Sequence, residues 1–450
     1  MAQTVEIPLW ILILILAFAA VTAATHLLLP SVRWFFRRRL ERAVARLNER
    51  LPRPIEPFKL ARRYDTIQRL TYDPDVVRAA SEFAAKNGLR DDVAVERAHR
   101  YAREIVPAFS ATAYFSFAMR LSKWVCEALY RVRIEEDASG AYDAIPAEAT
   151  VIYVINHRSN MDYVLVTYLA AKRTALSYAV GEWARVWPVS RLIRAMGGYF
   201  IRRKSPNLLY RKVLARYVQM AAQEGLTQAI FPEGGLSLDG KPAPPKLGII
   251  SYILAGAQDA GRPVVFVPVS VNYDRVFEDH VLTRAGEENS RRFRVRPFAV
   301  VVFVWKLVWR RVSKPSYRYG IAAVSFGAPL SLEQLSLQDA EDPVAAAASL
   351  LMDEVRARIP VLPVPLVCSV LIRSGAEPIT TSRIVEHVAS LNFGAGSVSL
   401  GDIQFAVQQG LDTLAVRKLI TVDPSGVSVQ DGALPVLAFY ANSIAHLEET

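Results

Sequence analysis

The chain has 450 residues, of which 54 are Lys or Arg and 43 are Asp or Glu, giving a formal net charge of +11. This length is enough to bury a core and predicts one large domain with additions, or two to three smaller ones. The positive surplus favours phosphorylated metabolites, acidic lipid headgroups or nucleic acid as partners, without choosing among them. Cys126 and Cys368 lie in separate apolar stretches, so we expect two buried thiols and no disulfide framework.

An uncharged run near the amino terminus predicts a membrane anchor over residues 1–32. Its core, residues 7–30, has roughly the ~20 residues that a helix needs to cross a bilayer. A signal peptide would begin with basic residues, whereas Glu6 precedes this run. Basic residues follow from Arg33 onward. The positive-inside rule therefore predicts a single-pass anchor in the inner (plasma) membrane, with the remaining chain on the cytoplasmic side.

Residues 33–143 predict a helical amino-terminal region. Residues 81–106 and 110–132 carry apolar residues at three- and four-residue spacing, and Gly88 interrupts the first of these segments. The second segment has aromatic residues on more than one face. We expect it to pack against the following domain.

From residue 144 the pattern alternates between strands and helices. Strands are predicted within residues 149–156, 197–203, 226–235 and 262–273, and helices within residues 163–172, 205–225 and 246–261. Short apolar runs that alternate with helices indicate βαβ units and a largely parallel sheet covered on both faces. The predicted fold class is therefore α/β, with a mostly parallel sheet flanked by helices over residues 144–335.

Polar clusters follow three of the predicted strands. NHRSNMD follows the strand ending at Ile155, the basic residues 202–204 follow the strand ending at Ile201, and PEGG follows the strand ending at Phe231. Ligands of open α/β sheets bind at the carboxyl ends of the strands. We therefore expect the three clusters to converge on one edge of the sheet.

His157 and Asp162 of NHRSNMD have the chemistry of a general base and its orienting carboxylate. A neutral imidazole can accept a proton, and a carboxylate can fix its tautomer and stabilise the imidazolium that forms. A loop entering a helix can fold Asp162 back toward His157, whereas on a straight helix, at about 100° per residue, the two would point apart. A simpler interpretation is also open, in which His157 caps the following helix and Asp162 forms hydrogen bonds within its first turn.

Four motif blocks give the chain a resemblance to a known family. HRSNMDY, GGYFIRR, FPEGGLS with PPKLG downstream, and VVFVPVSVNYD occur in the order and approximate spacing of the blocks of glycerol-3-phosphate acyltransferases. The chain resembles the bacterial membrane-bound branch of that family, within the HxxxxD acyltransferases, from about Tyr72 to about Leu332. LAFYANSIAHL near the carboxyl end is similar to the family's terminal segment.

The resemblance implies roles for individual residues. His157 would take the proton from the acceptor hydroxyl and Asp162 would orient it, without a covalent acyl-enzyme. The implied substrate-binding residues are Arg158, Ser159, Arg202, Arg203, Glu233, Gly234, Gly235, Ser237, Lys241, Lys246 and Pro268. The two arginines of the second block would bind the acceptor phosphate, because guanidinium groups bind phosphate in a bidentate way. The glycines would let backbone amides approach an anion, and Pro268 would shape an acyl pocket.

The implied reaction is transfer of a fatty acyl group from acyl-CoA or acyl-carrier protein to the sn-1 hydroxyl of glycerol 3-phosphate, giving lysophosphatidate. Membrane lipid is an expected partner, and neither a cofactor nor nucleic acid is expected. Leu236 stands where the third block normally has Arg. This departure leaves a lysophospholipid or another hydroxyl compound open as acceptor, and Lys241 could supply the missing cation.

Other classes of protein fit the sequence less well. No G-x-S-x-G elbow surrounds Ser159 or Ser237, which disfavours a serine hydrolase. The two cysteines are isolated and the histidines lack ligand spacing, so no metal site is expected. A non-catalytic, membrane-tethered scaffold that binds acyl groups or lipid remains the alternative of a different class.

The carboxyl-terminal part predicts a smaller module over residues 336–450. Residues 301–320 interleave aromatics with Arg and Lys, which fits either a bilayer interface or a buried strand followed by an exposed basic helix. Residues 361–366, VLPVPL, predict a proline-rich linker. Helices are predicted over residues 380–392 and 402–420, with a hairpin over residues 420–430. We expect a helical or winged-helix-like module that packs on the α/β domain.

Overall fold

The structure is a computed structural model that forms two units, residues 1–54 and residues 55–450. It describes residues 8–18, 38, 42, 44–46, 48–49, 51–111, 113–135, 141–170, 174–181, 189–202, 207–288, 319–335, 340–375, 377–391 and 403–448. In the first unit residues 9–18 are helical, and their apolar side chains, including Trp10 and Phe18, are largely exposed. Most of the predicted membrane span, residues 7–30, lies outside the described residues. Across the described ranges, no helix combines the length and apolarity that a membrane crossing requires.

A mixed sheet forms the centre of the second unit. Its strands are β1 (Arg131–Glu135), β2 (Thr150–Ile155), β3 (Ser177–Val180), β4 (Gly198–Phe200), β5 (Gln228–Ile230), β6 (Val264–Tyr273), β7 (Ile321–Phe326) and β8 (Leu330–Ser331). The order is β1-β7-β6-β2-β5-β3-β4, with β8 beside β6. Strands β6, β2, β5, β3 and β4 are parallel, while β7 and β8 run antiparallel to β6. The predicted α/β class with a mostly parallel sheet is confirmed.

Helices cover both faces of this sheet. Within the described residues of the second unit, the helices are α1 (Pro57–Leu60), α2 (Arg63–Thr71), α3 (Pro74–Asn87), α4 (Asp91–Ile105), α5 (Met119–Leu129), α6 (Met161–Ala170), α7 (Val189–Ala195), α8 (Leu208–Gln223), α9 (Leu247–Gln258), α10 (Asp279–Glu287), α11 (Pro343–Ala357), α12 (Pro363–Ser374), α13 (Thr381–Ser390), α14 (Ile403–Val416), α15 (Leu434–Ala441) and α16 (Ala445–Glu448). Along β2, Ile152 and Val154 belong to one apolar cluster, whereas Val151, Tyr153 and Ile155 belong to another. This alternation places a core on each face, because successive side chains of a strand point to opposite sides.

Local sequence signals account for several element ends. Asp73 caps α3 by accepting a hydrogen bond from the amide of Asp75, and Pro74 occupies the first helical turn. The same helix ends at Gly88, which has a φ of 62°. A left-handed residue at this position is a common helix stop, and glycine adopts it without steric cost. The predicted break at Gly88 is confirmed.

The helix predicted over residues 110–132 is only partly right. The structure has a π-helical segment over Ala113–Ala118, then α5, and from Arg131 the chain continues as β1. Strand β1 pairs on one side with β7 and lies at the end of the sheet order. Its side chains are exposed or only partly buried, so it lacks the continuous apolar run that marks a buried parallel strand.

The carboxyl-terminal module contains the predicted helices, α13 and α14, and the predicted hairpin. Its strands β9 (Ile420–Asp423) and β10 (Gly426–Val429) pair in antiparallel fashion. The linker predicted over residues 361–366 is wrong, because α12 begins at Pro363 and its first nine residues are buried. Proline suits a first helical turn, where its missing N–H has no partner to lose. Most of the aromatic and basic segment 301–320 lies outside the described residues.

Candidate active site

The loop after β2 brings His157 and Asp162 into contact. Nδ1 of His157 lies 2.9 Å from Oδ2 of Asp162, and both side chains are almost fully buried. The same carboxylate oxygen accepts hydrogen bonds from the amides of Arg158, at 2.8 Å, and Ser159, at 3.0 Å. Asp162 therefore closes the turn that carries the histidine and also binds its ring. Asp162 thus forms the hydrogen bonds within the turn that the simpler interpretation expected, but the hydroxyl of Ser159, not His157, accepts from the amide of Met161 at the start of the helix. The contact with Asp162 leaves Nε2 as the ring nitrogen of His157 able to accept a proton.

Tyr273 binds the second oxygen of Asp162. Its phenolic hydroxyl donates to Oδ1 of Asp162 at 2.7 Å from the last residue of β6. Burial, and then the neighbouring Asp162 carboxylate, raise the pKa of Tyr273, so the phenol remains a donor. With both oxygens hydrogen-bonded, the carboxylate is satisfied inside the protein. Sequence reasoning did not single out Tyr273, although it lies in the fourth motif block.

Glu233 ties two loops together. Its Oε1 accepts from the backbone amide of His157 at 2.9 Å, and its Oε2 accepts from the amide of Ala243 at 3.2 Å. The side chain is 3% exposed, and this burial raises the pKa of its carboxyl group. The sequence predicted that Glu233 binds substrate. In the structure each of its carboxylate oxygens accepts a hydrogen bond from a backbone amide, and these bonds hold the histidine loop in place.

Two aromatic rings enclose the imidazole of His157. The ring of Phe231 lies 4.4 Å away between centroids, and that of Tyr163 lies 5.3 Å away and nearly perpendicular. The Tyr163 hydroxyl is 3.4 Å from Nε2 of His157, at the limit of a hydrogen bond. An arriving hydroxyl compound could therefore take the place of this weak contact at Nε2.

A cavity of about 250 Å³, here called the cationic cavity, opens beside these rings. Tyr163 and Phe231 contribute to its wall, and Arg202, Arg211 and Lys246 bring three cations to it. The other lining residues are Ala179, Ile201, Tyr210, Leu214, Ile230, Pro232, Gly234, Gly235, Gly248, Ile249, Ile250 and Tyr252. Positive charge in a partly enclosed site favours an anionic ligand. The structure thus brings residues of all three sequence clusters to one edge of the sheet.

Arg202 is paired with a residue that the sequence did not indicate. Its Nε and Nη2 donate to the two carboxylate oxygens of Glu104 at 2.8 and 2.6 Å, and its guanidinium lies over the rings of Tyr101 and Tyr210. The bonds to Glu104 raise the pKa of Arg202. This carboxylate occupies the fork predicted to bind phosphate. Glu104 comes from α4, far away in sequence, and Arg203 lies outside the described residues.

Gly234 makes room for Lys246. It adopts a φ of 67°, and a Cβ atom at this position would lie 2.7 Å from Cδ of Lys246. The backbone of Lys246 is fixed by its amide, which donates to the carbonyl of Pro232 at 2.8 Å. The amide of Gly234 donates to the carbonyl of Phe231 at 2.9 Å, so this amide closes the turn. The left-handed backbone favours glycine at this position, and an added Cβ would displace the end of the Lys246 side chain.

Ser237 and Lys241 form a turn next to the cavity. The hydroxyl of Ser237 donates to the carbonyl of Lys241 at 2.9 Å and accepts from the amide of Gly240 at 2.9 Å. Lys241 is exposed, and Leu236 packs against the apolar core. The described residues that line the cationic cavity do not include Leu236, Ser237, Gly240 or Lys241. The structure therefore does not bring Ser237 or Lys241 to the predicted phosphate site.

Arg158 and Ser159 point to other parts of the protein. The buried guanidinium of Arg158 donates to the carbonyl of Gly240 and lies 4.7 Å from the ring centre of Phe439. The hydroxyl of Ser159 donates to Oε2 of Glu278 at 2.7 Å. Both residues thus fix the loop that holds His157.

Pro268 lies within β6, opposite Val154 of β2. Its carbonyl accepts a hydrogen bond from the amide of Gly327 at 2.9 Å. Pro268 does not line either of the two cavities described in this section, as far as the described residues go. Its position is that of a core strand residue.

A second cavity of about 210 Å³, here called the apolar cavity, shares Tyr163 with the cationic cavity. It is lined by Ala118, Leu121, Ser122, Val125, Asn160, Tyr163, Val164, Tyr178, Val180, Leu192, Ile193 and Met196. Tyr163 is common to both cavities and lies against His157. The imidazole is thus within reach of a cation-lined space and an apolar space that share one wall.

A comparison with known protein families matches the segment that contains this site. A family model described as Acyltransferase matches residues 139–272, the segment that holds β2 to β5, nearly all of β6 and the His157–Asp162 pair. Residues 139–272 thus carry the sequence pattern of an acyltransferase domain. Proteins similar to this chain include bacterial glycerol-3-phosphate acyltransferases.

Two of these relatives show the extent of the similarity. A glycerol-3-phosphate acyltransferase from Aeromonas hydrophila is 30% identical over 282 residues, covering 61% of this chain and 33% of that protein. One from Shewanella oneidensis is 28% identical over 407 residues, covering 82% of this chain and 48% of that protein. The chain thus spans about a third to a half of the length of these relatives. A solved 1-acyl-sn-glycerophosphate (LPA) acyltransferase, PlsC, from Thermotoga maritima aligns with 54% of this chain and 75% of that chain, at 20% identity and a TM-score of 0.32.

Proposed function

We propose that this protein transfers a fatty acyl group from acyl-CoA or acyl-carrier protein to the sn-1 hydroxyl of glycerol 3-phosphate, forming lysophosphatidate and a free thiol. The observation that carries this proposal is the contact between Nδ1 of His157 and Asp162 beside a cavity lined by cations. The relatives named glycerol-3-phosphate acyltransferase support the choice of acceptor.

In the proposed mechanism the acceptor hydroxyl displaces Tyr163 from Nε2 of His157. Nε2 removes the hydroxyl proton while the oxygen attacks the thioester carbonyl, and Asp162 stabilises the imidazolium through Nδ1. The tetrahedral intermediate then collapses, the carbon–sulfur bond breaks, and the imidazolium returns its proton to the leaving thiolate. No acyl group becomes attached to the protein.

The charges of the cationic cavity suit a phosphate dianion. Lys246 and Arg211 are lining residues and exposed, while Arg202 forms an ion pair with Glu104. Arg202 shares its charge with Glu104, and Lys246 and Arg211 add two further cations to the wall that would attract the phosphate. Arg202 would then orient the ligand, aided by the carboxylate that holds its guanidinium in place.

The apolar cavity suits the acyl chain of the donor. Its wall is almost entirely aliphatic or aromatic, with Ser122 and Asn160 as the polar exceptions. A fatty acyl chain is stabilised by leaving water for such a surface. With the chain on one side of Tyr163 and the phosphate on the other, the thioester carbonyl and the acceptor hydroxyl would meet near Nε2 of His157.

A membrane location is a second part of the proposal and comes from the sequence. Residues 7–30 would anchor the protein in the inner membrane and leave the His157 site on the cytoplasmic side, close to its lipid product. Retention of the full-length protein in the membrane pellet after alkaline extraction would support it. Complete release into the supernatant would count against an anchor.

A lysophospholipid is the alternative acceptor. Leu236 removes a cation that the family's third block normally carries, but its side chain packs against the core. The cations of the cationic cavity therefore come from other residues and suit the phosphate of either acceptor. The relatives named glycerol-3-phosphate acyltransferase favour glycerol 3-phosphate. Comparing the two acceptors with purified protein in detergent would decide between them.

The decisive experiment follows thiol release from acyl-CoA with and without glycerol 3-phosphate. It compares wild type with His157→Ala and with His387→Ala, which changes an exposed histidine on α13. We expect release that requires the acceptor, a loss of roughly 100-fold or more in His157→Ala, and no change in His387→Ala.

Each alternative class gives a different result. Release that does not depend on the acceptor would indicate a hydrolase. Equal rates in wild type and His157→Ala would remove His157 as the base. If both proteins transferred acyl groups equally poorly and still bound acyl-CoA, the chain would be a scaffold.

A further inference from the structure

Glu278 holds the middle of the His157–Asp162 loop. Its Oε2 accepts from the hydroxyl of Ser159 at 2.7 Å, and its Oε1 accepts from the amide of Asn160 at 3.1 Å. Both contacts fall between the proposed base and its carboxylate partner. Glu278 therefore restrains the part of the loop whose folding sets the distance between His157 and Asp162.

The next residue, Asp279, is held by the carboxyl-terminal module. Its Oδ2 accepts from Nη2 of Arg417 and, at 2.5 Å, from the hydroxyl of Tyr440. The same hydroxyl accepts from Nη1 of Arg417 at 3.2 Å and from the amide of Val276 at 2.9 Å. The side chains of Asp279 and Arg417 are each 4% exposed. Two side chains of the module thus fix the segment that carries Glu278.

The same module contacts the site a second time through α15. The ring of Phe439 lies under the guanidinium of Arg158, the residue that follows the proposed base. Gly240, whose carbonyl accepts from Arg158, has a φ of 89°, and a Cβ atom there would lie 1.9 Å from the carbonyl oxygen of Phe439. This close approach leaves no room for a side chain at residue 240. The module therefore packs against two separate loops next to His157.

We infer that Arg417 and Tyr440 are positioning residues of the active site and act through Asp279 and Glu278. They touch none of the reacting groups. They lie outside residues 139–272, the segment matched by the acyltransferase family model. The expected fall in kcat rests on the proposed function. The expected loosening of the His157 loop does not. Misplacement of a reacting group by about 1 Å can lower a rate by roughly 100-fold, so a small shift of this loop would be measurable.

The test compares Tyr440→Phe, Arg417→Met and the control Arg383→Met in the full-length protein. Arg383 is an exposed residue on α13 of the same module. We expect kcat to fall roughly 10- to 100-fold in the first two variants, with KM for both substrates within about twofold of wild type. Arg383→Met should match wild type. The melting temperature of each variant is measured as well. Tyr440→Phe removes a single hydroxyl, so its result decides the test if Arg417→Met does not fold.

A readout independent of catalysis is the reactivity of His157 toward diethyl pyrocarbonate, followed by mass spectrometry of the peptide that contains it. The wild-type side chain is 2% exposed and should react slowly. If the loop loses its support, His157 should react several-fold faster in Tyr440→Phe and Arg417→Met. Folded variants with unchanged kcat and unchanged His157 reactivity would overturn the inference. If wild type transfers no acyl group, the proposed function fails, and His157 reactivity alone then decides the positioning role.

Discussion

Asp162 binds the imidazole of His157 at 2.9 Å with the same oxygen that closes the loop between the two residues. The geometry of the pair therefore follows from the turn itself, because the amides of Arg158 and Ser159 fix the carboxylate before any substrate is present. Tyr273 completes the arrangement from β6. A substitution at Asp162 can therefore separate the effect of its negative charge from its effect on the conformation of the turn.

Asp162→Asn should retain the turn and lose the charge. An amide oxygen can accept from the two backbone amides, whereas a neutral group stabilises the imidazolium poorly. We expect kcat to fall by about 10³-fold with little change in the acceptor KM, by analogy with serine-protease triads in which the orienting Asp was replaced. Steady-state kinetics and circular dichroism would check this. A loss of less than about tenfold in a folded variant would contradict a role for the Asp162 charge.

Gly234→Ala should destabilise the turn at the cavity wall. The left-handed backbone predicts a cost of about 1 to 3 kcal/mol in the free energy of unfolding, and displacement of the Lys246 side chain by the added Cβ predicts weaker binding of glycerol 3-phosphate. Gly261→Ala is the matched control, since no heavy atom lies within 4 Å of its added Cβ. Urea unfolding of both variants tests the difference. Equal stability would contradict the constraint at Gly234.

Lys246→Met should raise KM for glycerol 3-phosphate by about tenfold with a smaller effect on kcat, because in the proposed complex the lost charge would contact the non-reacting phosphate of the acceptor. The effect should shrink at high ionic strength. Lys86→Met, on the exposed surface of α3, serves as the control. An unchanged KM in Lys246→Met would remove this residue from the phosphate site.

Val125→Phe should change the preferred donor. Val125 lines the apolar cavity, and a phenyl ring there would fill part of its volume of about 210 Å³. We expect activity with long acyl-CoA chains to fall relative to short ones, by several-fold, since excess volume in a packed site is poorly tolerated. Val93→Phe, on the exposed face of α4, should leave the chain-length profile unchanged. A parallel loss for all chain lengths would argue against an acyl site in this cavity.

Asp274 should make stability depend on pH. It is fully buried, and burial raises the pKa of its carboxyl group from 3.8 to about 6, although the amides of Val364 and Ile321 bind its oxygens. The pKa of Asp274 is higher in the folded than in the unfolded protein. The folding stability associated with its protonated carboxyl group is therefore fully present below about pH 4 and is lost as the pH rises through 6. Wild type should thus lose on the order of 3 kcal/mol relative to Asp274→Asn between pH 4 and 7. Equal pH dependence of the unfolding free energy in wild type and Asp274→Asn would contradict this, and Asp259→Asn, at an exposed site, is the control.

The fold was predictable where the sequence has continuous apolar runs and clear helix stop signals. Strands β2 and β6 are fully buried and read as continuous apolar runs, and the helices between them carry stop signals such as Gly225. Strand β3 has only four residues and follows a polar stretch, so no pattern marked it. Strand β7 was missed because its apolar run falls beyond the motif blocks and its pairing partners are far away in sequence.

The site was predictable in its location but less so in its contacts. Strand ends indicated that NHRSNMD, PEGG and Arg202 would meet. Arg202 and three residues of PEGG line the cationic cavity, and His157 lies beside its wall residue Phe231. The partners Glu104, Tyr273 and Glu278 could not be found this way. Each reaches the site from an element more than 90 residues away in the chain, and a single carboxylate or phenol carries no local pattern.

The position of β6 has a consequence for dissecting this protein. All ten of its residues are buried, with β2 on one edge and β7 and β8 on the other. A fragment limited to residues 139–272, the family-matched segment, would omit both antiparallel neighbours and Tyr273. It would expose a long apolar strand edge, which is a template for aggregation. Fragments intended for crystallography or enzyme engineering should therefore extend at least through β8.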